Sequence, residues 1–208
     1  MNVVMLIASA FSLFSNSTPL SEPRMALAGD YVEARTASVF AGACHINSEL
    51  MTSGRDAVMA WQFNGGIRVM AVVSSTANLS DQTAARKSEM VIDGSASKSL
   101  SDAALAAILV RDGSALGQVV SVRRAAITFS HEDREYKVEC PGFASLDVQG
   151  LPNDDCCKQP NLVWYEPLVK LNGRKVGYTV DAEYSGGKIA DSWEREDENG
   201  AFYGAFVY

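Results

Sequence analysis

Cysteine and histidine are scarce in this chain, and most of them fall in three short segments: Gly42-Ala43-Cys44-His45, Glu139-Cys140-Pro141 and Asp154-Asp155-Cys156-Cys157. Thiolates and an imidazole suit Cu(I) or Zn(II), so Cys44, His45, Cys140, Cys156 and Cys157 hold enough soft donors for a three- or four-ligand site if the segments converge. Neighbouring residues on a strand point to opposite faces, so Cys44 and His45 can share one ion only from a turn, which Gly42 permits. Pro152 to Asp155 on one side and Lys158-Gln159-Pro160 on the other place Cys156 and Cys157 in a loop, where convergence is allowed. The competing chemistry is oxidation. Four cysteines allow three pairings, and the one joining Cys156 to Cys157 needs a strained vicinal ring. In the other two, Cys44 and Cys140 each join one member of the adjacent pair, a staple worth ~3–5 kcal/mol by the chain-entropy model. Asp154 and Asp155 would raise the pKa of the neighbouring thiols or add hard ligands to a mixed site.

Catalytic arrangements are poorly represented. Cys44 beside His45 offers a thiol nucleophile, but a nucleophile and its base usually come from separate parts of a fold. His131 lies in Ser130-His131-Glu132-Asp133-Arg134, an acidic turn expected to face solvent. There is no Gly-x-Ser-x-Gly elbow, P-loop, dinucleotide fingerprint or Cys-x-x-Cys motif. The acidic runs Glu132-Asp133, Asp154-Asp155 and Glu194 to Glu198 read as solvated faces. The chain thus reads as a non-catalytic binding module, with handling of Cu or Zn through the cysteines as one use. A disulfide-stapled scaffold for a small apolar ligand or protein partner is the alternative, and a thiol enzyme the third reading.

The elements that must position these residues are mainly strands. Runs rich in Val, Tyr, Phe, Trp and Thr predict strands at 30–40, 56–63, 67–75, 87–93, 118–129, 135–140, 144–149, 162–171, 176–184, 188–194 and 201–208. Asn64-Gly65-Gly66, Asn172-Gly173, Gly186-Gly187 and Asn199-Gly200 supply turn chemistry, so the C-terminal third is expected to be an antiparallel meander. One helix is expected near 101–111, with Ser101 as N-cap, apolar residues at Ala104, Leu105, Ile108 and Leu109, and Gly113 closing it. Asp-Gly-Ser at 93–95 and at 112–114 reads as turn sequence. The predicted fold class is mainly β, an antiparallel β-sandwich or barrel-like sheet with one packed helix. Trp61, Trp164, Tyr165 and Trp193 are expected to face a core, except that Trp164 and Tyr165 must point to opposite faces. The outward ring, with Met59 or Met70, could line a ligand pocket. Met51, Met59, Met70 and Met90 lack the close clustering of thioether copper sites. Thr76 to Lys87 reads as a solvated loop, in which Asn78-Leu79-Ser80 forms a glycosylation sequon.

A length of 208 residues and a hydrophobic content of 47% suffice for one buried core. The net charge of −7 and pI near 4.9 argue against nucleic acid as a partner. Val3 to Phe14 is too short to span a membrane but has the length of a signal-peptide core, although no Lys or Arg precedes it. Ala26-Leu27-Ala28 supplies a small-x-small cleavage pattern. Residues 1–28 are therefore expected to be a signal peptide or an extension, and 29–208 a single β-rich domain exported to an oxidising compartment.

Four blocks, in order, carry a family resemblance over roughly residues 29–208: Gly29-Asp30-Tyr31-Val32-Glu33-Ala34, Gly54-Arg55-Asp56-Ala57-Val58-Met59-Ala60-Trp61, the helix beginning Ser101-Asp102-Ala103-Ala104-Leu105, and Val163-Trp164-Tyr165-Glu166-Pro167-Leu168. Together they resemble the bacterial family catalogued as domain of unknown function 1326. The resemblance implies no assigned activity. Many members of that family carry a Cys-rich cluster ending in Cys-Pro-Cys soon after the opening strand; here Tyr31 to Phe40 holds no cysteine, and only Cys44 lies nearby.

Overall fold

Most strand-like runs become strands, and the way they are joined forces the sheet to curl. The computed structural model describes residues 27–40, 54–151 and 163–208. Within them the elements are β1 (Ala28–Arg35), β2 (Asp56–Phe63), β3 (Arg68–Ser75), β4 (Arg86–Asp93), α1 (Lys98–Leu116), β5 (Gln118–Ala125), β6 (Thr128–Glu132), β7 (Glu135–Cys140), β8 (Ala144–Gly150), β9 (Asn172–Tyr184) and β10 (Trp193–Val207). They form one ten-stranded sheet in the order β5-β4-β3-β2-β1-β10-β9-β8-β7-β6, curled into a half-barrel. Every pairing is antiparallel except β4 with β5, where α1 supplies the crossover that parallel strands require. The two edge strands, β5 and β6, are consecutive in the chain and separated only by Ala126 and Ile127. So short a link draws opposite edges of the sheet toward each other, and the Arg123 guanidinium of β5 sits 5.1 Å from the ring centroid of Phe143, between β7 and β8.

The curl creates two cores. Inside it, Val32, Ala34, Val58, Ala60, Met70, Val72 and Val91 from β1–β4 pack against Val138, Leu146, Val148, Ala182 and Tyr184 from β7–β9. On the outer face Tyr31, Met59, Trp61, Val69, Ala71 and Phe206 meet Ala104, Ile108 and Leu116 of α1. Strands β2 and β3 are thus covered on both faces, which explains their nearly continuous apolar sequences. Met59 and Met70 are fully buried in these cores rather than lining a pocket.

Several local expectations are corrected. The helix runs from Lys98 to Leu116, with Ser97 as N-cap accepting from the Leu100 N–H, while Ser101 is buried within it. Ser101, Ala104, Ile108, Asp112, Ala115 and Leu116 form the buried stripe, spaced three and four apart as one face of a helix requires. Leu109 is exposed instead. Gly113 and the Asp112-Gly113-Ser114 run stay helical, and Gly117 at φ 63° ends the helix. Asn199-Gly200 is not a hairpin turn but a bulge inside β10, where the register with β9 shifts between Glu198 and Ala201. The segment 36–40 crosses there, with the Val39 N–H donating to Asn199 O, and a Cβ on Gly200 would meet Arg35 O at 2.8 Å. Residues 118–129 divide into two strands, and 188–192 lie outside any strand. From 163 to 171 there is only a bridge between Phe40 and Val163. Asn64-Gly65-Gly66 is the expected hairpin turn, Gly66 taking φ 79°. Among the described residues, no helix is long and apolar enough to cross a membrane.

Candidate ligand-binding site

Of the five sequence-predicted metal ligands, Cys44, His45, Cys156 and Cys157 lie outside the described residues. Cys140 ends β7 and is 1% exposed inside the inner core. Burial pushes its thiol pKa up, against the pull of the nearby Arg123 guanidinium. A protonated thiol in an apolar core is a weak metal ligand as it stands. The Phe40–Val163 bridge does bring together one end of each of the segments 41–53 and 152–162, which carry the other four donors. Cys140 is placed elsewhere. It pairs with Ala144, which pairs with Tyr184, which pairs with Trp193. That row is six residues along β10 from Asn199, or about 20 Å at strand rise.

His131 is exposed, as expected, at the end of β6, where its ring stacks on Tyr136 and Nδ1 lies 3.1 Å from Asp30 Oδ2. Glu194 and Glu196 are also exposed; with Asp181 they form a close acidic group. The Asp181 carboxyl is raised by partial burial and then by the repulsion of those glutamates.

The most developed site combines Glu33, Arg35 and Arg86, which sequence reasoning did not single out, with the Trp164-Tyr165 pair, whose outward ring was expected to line a pocket. Strand alternation places Tyr31, Glu33 and Arg35 on the outer face of β1, beside α1. Glu33 is 0% exposed and Arg35 3%. The Glu33 carboxylate accepts from Tyr31 Oη at 2.6 Å, from Arg35 Nε at 2.8 Å and from the Leu168 N–H at 2.8 Å. The Arg35 guanidinium also donates to Glu166 O and lies 5.7 Å and 5.5 Å from the ring centroids of Tyr165 and Phe202. A buried ion pair is tolerable only when its hydrogen bonds are satisfied, and here main chain from 166–168 completes them. The network therefore ties that segment to β1.

Beyond Arg35 the sheet face opens into a cleft of about 350 Å³. One wall is Trp164, Tyr165, Glu166, Pro167 and Leu168; the other is Leu79, Ser80 and Gln82 with Ser114 and Ala115 of α1. Trp164 is 43% exposed, so it is the outward ring of its pair, and its main-chain N–H donates to Val39 O. Tyr165 accepts at Oη from Asn78 Nδ2 at 3.2 Å. The Asn78 Oδ1 in turn accepts from the Ser80 N–H. The sequon asparagine thus braces the two walls through its side-chain amide. Arg86, at the start of β4, reaches the cleft floor and donates to Leu79 O at 2.6 Å and to Asp81 O and Ala115 O at longer range. Partial burial, and then the charge of Arg35, lower its pKa, with Asp81 opposing.

Of the other buried carboxylates among the described residues, Glu89 and Asp112 are also internally satisfied. Glu89 accepts from Tyr184 Oη at 2.5 Å, Ser121 Oγ and the Lys188 N–H; burial raises its pKa, but these bonds outweigh it and hold it below the ordinary range. Asp112, 5% exposed, accepts from Tyr208, whose hydroxyl also receives Trp61 Nε1 at 2.8 Å. Burial raises Asp112 to about 6, against the pull of Tyr208, Trp61 and Arg111.

No family model, no curated protein and no solved structure matches this chain.

Proposed function

We propose that the protein is a non-catalytic binding module whose ligand is a small molecule held in the Arg35–Trp164 cleft. One observation carries this reading: a half-exposed indole and a buried, fully braced arginine face the same cavity, so an apolar contact and a polar anchor are both prepared for a ligand. Among the described residues its lining offers groups that bind and orient rather than a positioned nucleophile and base. The one carboxylate among the described residues that line it, Glu166, pairs with Arg174. Three of the blocks resembling the family of unknown function 1326 supply β1, the Trp164 wall and the helix behind the cleft, so membership of that family belongs to the same proposal. So does export.

A thermal-shift screen of small metabolites, followed by titration of Trp164 fluorescence, tests the cleft. Hits should be lost in Trp164→Ala and kept in Val180→Ala, which removes an exposed apolar side chain elsewhere. Hits indifferent to Trp164→Ala would refute the cleft as the site.

The second reading, soft-metal handling by the cysteines, is favoured by the Phe40–Val163 bridge that draws together one end of each segment bearing Cys44, His45, Cys156 and Cys157. Cys140 belongs to it only if the inner core opens. Protein isolated without reductant should then contain stoichiometric Cu or Zn that survives Cys140→Ser and is lost in Cys44→Ser or Cys156→Ser. Absence of metal together with no free thiols after denaturation would indicate two disulfides instead.

A further inference from the structure

The charges around the cleft narrow the ligand class. Two guanidinium groups face the cavity. Arg35 is neutralised by Glu33. Arg86 forms no ion pair with any described residue; its terminal nitrogens reach only the main-chain carbonyls of Leu79, Asp81 and Ala115, and its Nε is buried without an acceptor. The carbonyl end of α1 offers about half a negative charge and the exposed Asp81 carboxylate a solvent-screened attraction, so part of the cation stays uncompensated. Its lowered pKa has the same cause, namely desolvation followed by repulsion from Arg35. A guanidinium does not shed its proton in a protein, so only an anion can relieve it. With a chain charge of −7, no general positive field would draw an anion here; the attraction is local to this floor.

We infer that the ligand is a small organic monoanion, its carboxylate seated against Arg86 with Arg35 alongside and its planar apolar body against the Trp164 ring. A single uncompensated positive charge matches a single negative one. A second negative charge would meet the Glu166 carboxylate, and among the described residues no further cation lines the cleft. The cavity, about 350 Å³, sits at the small end of the ~300–1,000 Å³ range of ligand pockets, which suits a molecule carrying one ring. Ser80, Gln82 and Ser114 supply polar side chains at the rim.

This rests on the cleft being the binding site, and the experiment separates the two. Phenylacetate, the neutral phenylacetamide and inorganic phosphate are each titrated into the full chain by ligand-detected NMR. Phenylacetate should bind at least about tenfold more tightly than phenylacetamide. Arg86→Gln should remove that difference by weakening phenylacetate far more than phenylacetamide. Because Arg86 also bonds main chain near the C-terminal end of α1, Arg86→Lys and a rise in salt serve as checks that do not need the glutamine variant to fold. The lysine should keep part of the preference, and raising salt from about 0.05 M to about 0.5 M should weaken phenylacetate selectively. Equal binding of acid and amide, both lost in Trp164→Ala, would overturn the anion class and leave the cleft standing. Phosphate binding as tightly as phenylacetate would overturn the monoanion. No binding of any of the three up to about 10 mM would overturn the inference and the cleft together.

Discussion

Glu33 is the residue on which the candidate site depends. Its carboxylate balances Arg35 and fixes the Leu168 N–H, so one side chain sets both the charge of the cleft floor and the position of the Trp164 wall. Removing one partner of a buried pair leaves an uncompensated charge, which costs ~3–5 kcal/mol. Glu33→Gln, nearly isosteric, should therefore lower the unfolding free energy by about that amount in urea titration, and weaken ligand binding even in the folded fraction. A loss below ~1 kcal/mol would mean that solvent reaches the pair. Sequence reading passed over Glu33 because a charged residue alternating with Val32 and Ala34 looks like the wet face of a half-buried strand.

At the scale of elements, the crossover from α1 to β5 joins the helix to the cleft. Gly117 turns the chain at φ 63°, and a Cβ there would meet the Arg86 carbonyl oxygen at 2.4 Å. Both the left-handed backbone and the main-chain clash oppose any side chain. Gly117→Ala should destabilise by about 2–3 kcal/mol and displace Arg86, whereas Gly66→Ala, at φ 79° with open space around it, should cost only ~1 kcal/mol. Comparing the two variants in urea unfolding and ligand titration checks this; equal costs would show that the clash is relieved by local movement. The helix itself was legible from Ala104 and Ile108. Its ends were not, because Ser97 and Ser101 are equally good caps in isolation and only burial against the sheet chooses between them. The Asn199-Gly200 pair was legible as a backbone irregularity, but hairpin and bulge demand similar residues. The crossing of residues 36–40 decided for the bulge.

For the whole molecule, α1 is held to the outer sheet face partly through Asp112, Tyr208 and Trp61, and that contact is pH-dependent. The Asp112 carboxyl is raised from its ordinary 3.8 to about 6, so the folded state binds more protons than the unfolded state between those values. Stability from this group is full below about pH 4, falls as pH rises and is gone above about 6, a loss of at most ~3 kcal/mol. Asp112→Asn should flatten that interval of the stability profile while leaving the acid limb set by other carboxylates. Urea midpoints measured at half-unit pH steps would show it, and an unchanged slope between pH 4 and 6 would exclude Asp112 as the titrating group.

The fold class, ten strand-like runs or parts of runs, the single helix and the exclusion of common catalytic motifs follow from periodicity and composition, which are local properties of the chain. The sequence also made the cysteines the leading candidate, since residue type is visible before position. The half-barrel, its two cores and the cleft are different. Each depends on which face of a strand is covered, and a period of two says that faces differ without saying what lies over them. Only tertiary packing laid α1 and residues 166–168 over the Tyr31-Glu33-Arg35 face, burying charges that alternation alone would leave in water and leaving Arg86 at the cleft without an ion-pair partner among the described residues.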